Sequence, residues 1–144
     1  MLADTYIAKT IECAQDAIAS HVRWKIALML AVRLREPLSP RATQSLQRPE
    51  ECSIHKWLLS DRTLSLRGTA EYSAALELHQ AFHGQMQCVA ELINSGQYER
   101  AEQILNAPEP FQSASIALAN AIMALDRVDP KRPAPHPSPL KEMV

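Results

Sequence analysis

Between Tyr72 and Ile93 one pattern constrains the chain more than any other. Tyr72, Leu76, His79, His83, Met86, Ala90 and Ile93 recur at alternating steps of four and three residues. That spacing lines them up on one face of a helix. Apart from the tyrosine hydroxyl, the polar groups on this face are the imidazoles of His79 and His83, one helical turn apart. Burying two imidazoles in a core stripe is costly unless their ring nitrogens find partners. The chain must therefore build a helical core around this face and satisfy two histidines inside it. A metal ion shared by both rings meets that demand, and so do hydrogen bonds from separate neighbours.

The rest of the sequence agrees with a helical core. Its 144 residues suffice for one domain with a real interior. Glycine occurs only at Gly68, Gly84 and Gly96, β-branched residues are sparse, and Ala, Leu, Gln, Glu and Arg are frequent. No segment alternates with the period of a strand. The expected fold is all-α: a four-helix bundle over residues 1–128, a short extra helix carrying Cys52, and a disordered Pro-rich tail over 129–144.

Taken in order, a first helix is expected from Leu2 to about Arg35, with Ile7, Ile11, Ala14, Ile18, His21, Leu28 and Val32 on its buried face. Pro37 and Pro40 stop it, and residues 36–51 read as a surface connection. Cys52 to Leu59 forms a short amphipathic segment, and residues 60–68 are polar up to a break at Arg67-Gly68. Thr69 caps the helix of the histidine pair, which runs to Asn94. Residues 97–127 read as one bundle position interrupted at Pro108 and Pro110, with Phe111, Ser115, Leu118, Ile122 and Leu125 facing inward.

Charge and cysteine usage exclude several classes. The formal net charge is −1 with both signs interspersed, which leaves no footprint for nucleic acid or an anionic membrane. The apolar run from Ile26 to Val32 is too short to span a bilayer. Cys13, Cys52 and Cys88 show no disulfide-framework spacing, and no signal peptide is recognisable. A cytoplasmic protein is expected. Neither a nucleophile triad nor a phosphate-binding glycine loop occurs, so an enzyme is not expected.

His21 lies in the apolar stripe of the first helix, and Cys52 opens the short segment between the two histidine-bearing helices. With His79 and His83 they form a set of nitrogen and sulfur donors of the kind and number that a closed tetrahedral zinc site uses. Such a site has no open position for water or substrate. On spacing alone, a shared metal and separately hydrogen-bonded core histidines stand as equal explanations.

His21-Val22-Arg23-Trp24-Lys25, Cys52-Ser53-Ile54-His55-Lys56-Trp57-Leu58 and His79-Gln80-Ala81-Phe82-His83, in that order, resemble the signature of the chemoreceptor zinc-binding (CZB) domain family. Phe111 to Ser115, leading into a small-residue helix, also looks like the family's last helix. The likeness runs from about residue 5 to 127. It implies zinc held by His21, Cys52, His79 and His83, with Trp24 and Trp57 around the site and Phe82 against the neighbouring helix. It further implies a cytoplasmic, dimeric bundle in bacterial chemotaxis or cyclic-di-GMP signalling, responding to zinc or to oxidation of the cysteine ligand. With neither a chemoreceptor coiled coil nor a cyclase domain in this sequence, the output is expected to pass through a partner protein. One departure stands out: His55 occupies a position where the family has glycine. Three residues after Cys52, it is either within reach of the same metal or a partly exposed imidazole.

Two other classes remain in view. A metal-free helical interaction or adaptor bundle needs nothing from the histidines. A hemerythrin-like di-iron protein needs carboxylates three residues before its histidines, where this chain has Ile18, Leu76 and Gln80.

Overall fold

The computed structural model describes residues 13–130, and helix is the only regular structure among them. The α-helices are α1 (Ala14–Leu34), α2 (Pro40–Gln47), α3 (Ser53–Leu58), α4 (Ala70–Asn94), α5 (Tyr98–Asn106) and α6 (Ser113–Val128). Tight 3-10 turns cover Pro49–Glu51 and Asp61–Leu66, and a wider turn covers Pro108–Gln112. The all-α expectation holds. The expected start of the first helix, with Ile7 and Ile11, lies outside the described residues, as do residues 131–144, for which a tail is expected.

α4 is the central element. α6 packs along it, α5, α2 and α3 rest on it, and α1 closes the core against α6, α5 and α3. Its stripe is buried as the spacing requires, with only Leu76 partly exposed. At its start the Thr69 side chain accepts the Tyr72 N–H at 3.1 Å, which satisfies one of the amides a helix N-terminus leaves free. At its end Gly96 takes a φ of 81°, a left-handed conformation that glycine adopts without strain. α1 ends differently. Arg35 is itself left-handed at φ 51°, and the Glu36 N–H returns to the Ala31 carbonyl at 3.1 Å. This αL cap ends the helix ahead of Pro37.

α2 departs from the expected surface connection. Ser39 caps it by accepting the Ala42 N–H at 3.0 Å, and Pro40 occupies its first turn, where no N–H is needed. Ala42 and Leu46, one turn apart, are buried. Asn94 at the end of α4 ties the segment down, accepting from the Leu38 N–H at 2.8 Å and donating to Thr43 Oγ1 at 3.0 Å. Proline here starts a helix rather than excluding one.

α5 and α6 are separated where the prolines fall. Glu109 is extended, at φ −140° and ψ 149°, and the helix resumes with Phe111 buried under it. Phe111, Ser115, Leu118, Ile122 and Leu125 all face inward, as their spacing predicts. No helix among the described residues is long and apolar enough to cross a membrane.

Candidate metal centre

Cys52 ends the Pro49–Glu51 turn and stands at the N-cap of α3. It is 4 % exposed. α3 is fixed at its other end, where the Leu58 carbonyl accepts from Thr63 Oγ1 at 2.6 Å and from the Tyr72 hydroxyl. A carbonyl in the last turn has no partner within the helix, so these side chains supply one. They also fasten α3 to α4, because Tyr72 belongs to the stripe that carries His79 and His83.

The fold brings Cys52 onto that stripe. Its sulfur and one nitrogen each from His79 and His83 all lie within 4.8 Å of one another, and all three residues are buried. The His79 and His83 rings meet edge to face, with centroids 4.6 Å apart. His21 falls outside this closest set, although it borders it. Its ring stacks on Phe82 at 4.4 Å between centroids, and Phe82 continues to Phe111 at 5.4 Å. Phe82 therefore packs against His21 as well as against the Pro108–Gln112 turn that leads into α6. His21 Nε2 pairs with Ser115 Oγ at 2.8 Å, joining α1 to α6 across 94 residues of chain.

The unpaired atoms are concentrated here. Among the described residues, the buried side-chain nitrogens and oxygens without a hydrogen-bond partner are His21 Nδ1, His55 Nδ1, both ring nitrogens of His79, His83 Nε2 and Trp57 Nε1. Each such atom costs on the order of 1–3 kcal/mol when left without a partner. Native interiors avoid that cost, or leave the atom to a water or an ion. His21 and His83 share a division of labour typical of metal-bound imidazole: one nitrogen holds a protein oxygen and the other is free. For His83 the protein oxygen is the Leu46 carbonyl, at 3.4 Å from Nδ1. Gln87 Nε2 donates to that same carbonyl at 2.6 Å. A carbonyl only accepts, so this contact puts the His83 proton on Nδ1 and the lone pair on Nε2.

Burial also sets the protonation states. It lowers His79 to about 3, with His83, His55 and His21 adding to the effect. It lowers His21 to about 4, aided by the Lys25 ammonium. His83 is lowered for the same reason, partly offset by the Leu46 carbonyl. The Cys52 thiol is pushed up by burial, against the pull of the Ile54 and His55 amides and Lys56. Neutral imidazole is the form that ligates a metal, whereas a thiol must first release its proton. Buried nitrogen and sulfur donors at this separation, with unpartnered nitrogens among them, fit a metal ion.

Trp24 and Trp57 are both buried in the core. Cys13 and Cys88 are exposed. Sequence patterning points to His21, Cys52, His79 and His83, and the fold groups three of them with the fourth alongside. It does not point to the Leu46 carbonyl, which carries no side-chain label, or to the role of Ser115, which reads as one more small core residue. The Ser39-Pro40 pair is the signal that would have placed α2, and Leu46 with it. No family model, curated protein or solved structure matches this chain.

Proposed function

We propose that this protein is a zinc-binding regulatory bundle of the CZB kind. In this reading His21, Cys52, His79 and His83 hold zinc in a closed site, and a partner protein reads the result. The observation that carries it is the buried set of Cys52, His79 and His83 donor atoms within 4.8 Å of one another. The unpartnered nitrogens of His79, His83 and His21 support it. The donor types select zinc over a hard cation, and four protein ligands make the role regulatory or structural rather than catalytic.

The helices are read as a four-helix bundle in which α5 and α6 are one interrupted position. Both pack on α1 and α4, as successive halves of one rod do. The site then lies where α1, α3 and α4 converge, so a change in its occupancy acts on the joint between α1 and α4. Bound zinc would keep Cys52 as the thiolate, the form that oxidants attack. Without it, burial favours the protonated thiol, a weaker nucleophile than the thiolate. Zinc availability and oxidation are thus read through one residue.

A second copy of the chain is the expected first partner. Val22, Ile26 and Met29 form an exposed apolar face on α1, and Ile116 and Met123 are exposed on the adjoining α6. Such a patch is a candidate for protein contact.

Metal analysis of the purified protein tests the central claim. About one zinc per chain is expected, with a large loss in His79→Ala and weakened binding in Cys52→Ala. Wild-type protein without zinc, or zinc binding unmoved by both substitutions, rules it out.

A further inference from the structure

We propose that His55 is a further nitrogen donor of this site, able to take the metal when Cys52 is withdrawn. The inference rests on the zinc-binding reading above and adds a ligand to it.

His55 follows Cys52, the N-cap of α3, by three residues and so lies in the first turn of that helix. Its ring lies beside that of His79, with centroids 6.0 Å apart and planes 26° from parallel. Its Nδ1 is buried and has no hydrogen-bond partner, although the residue as a whole is half-exposed. A half-exposed histidine with an ordinary structural role would turn its polar atoms to water or to a protein oxygen. His55 instead holds one nitrogen under cover next to a ring of the site.

The exchange is local. Cys52 caps the short helix that carries His55, and the far end of that helix is fastened through the Leu58 carbonyl to Thr63 and Tyr72. In the proposed exchange the start of α3, opposite that fastened end, shifts so that His55 replaces Cys52 beside His79. A site with His21, His79 and His83 on α1 and α4, and two alternative donors on α3, holds its metal in two ligand sets that differ only at α3. One set contains sulfur, and the other is all nitrogen.

The test is zinc affinity, measured by competition with a chromophoric chelator, for wild type, Cys52→Ala, His55→Gln and Cys52→Ala/His55→Gln. Cys52→Ala is expected to retain one zinc with affinity lowered about 10- to 100-fold, the double variant to fall at least about tenfold further, and His55→Gln alone to stay within about threefold of wild type. Cobalt substitution gives an independent readout. Thiolate-to-cobalt charge transfer should vanish in Cys52→Ala while the tetrahedral ligand-field bands persist, and those bands should collapse in the double variant. Far-UV circular dichroism monitors folding, and Cys52→Ser replaces Cys52→Ala in both backgrounds if the alanine variant does not fold. Equal affinity in the single and double cysteine variants, or no zinc at all in Cys52→Ala, overturns the inference while leaving the zinc site standing. Absence of zinc from wild-type protein overturns both.

Discussion

Burial selects neutral imidazole at His21, His79 and His83, and this has a consequence for the metal-free protein. Each ring has a folded pKa below its ordinary value of 6.5, reaching about 4 for His21 and about 3 for His79. The unfolded chain therefore binds protons between pH 6.5 and those values that the folded chain does not. Stability is full above 6.5 and is lost as pH falls through that window. Chelator-treated protein should show a urea midpoint that declines steadily over that range, and His79→Leu should flatten the decline. A midpoint independent of pH there would mean that the histidines are not buried neutral. At this scale the sequence was informative because these residues break a pattern: histidine in an apolar stripe is conspicuous, and Cys52 opens a segment of otherwise ordinary amphipathic character. The partners of the rings were not legible. Ser115 keeps the period of its stripe and so looks like packing, and the Leu46 carbonyl belongs to the backbone.

Among the elements, α2 is the one that sequence patterning misplaced, and it bears on the site. Prolines at positions 37, 40 and 49 read as breakers, yet Pro40 sits in the first turn, where a missing N–H costs nothing. Ser39 then supplies the cap. Through the Leu46 carbonyl this short helix holds both Gln87 and His83 of α4. Ser39→Ala should cost about 1 kcal/mol of global stability, read as a lower urea midpoint. Hydrogen exchange should quicken in residues 40–47 more than in the rest of the chain. Uniform exchange across the chain would mean that α2 is not an independent cap on the site. The longer helices were legible because their stripes run for several turns. α2 has only Ala42 and Leu46 to bury, too few to establish a period.

For the whole molecule, the stripes of α1, α4 and α6 account for the all-α core, and what they leave uncovered points outward. Val22, Ile26 and Met29 follow helical spacing on α1, on a face flanking the one that carries His21 and Leu28, and remain exposed. If a second copy covers them together with Ile116 and Met123, light scattering should give twice the chain mass. Ile26→Asp with Ile116→Asp should then give monomers that keep their helicity and their zinc. A monomeric wild type would assign that face to a different partner.

His21 and His83 are held by oxygens of different character. The Leu46 carbonyl can only receive a proton, so His83 keeps its contact in one tautomer alone. The Ser115 hydroxyl can turn and either give or receive, so His21 keeps its contact in both. His83 is thus fixed in its proton placement, while His21 is adaptable. Of the two rings, His21 can reassign its proton without losing its neighbour, and His83 cannot.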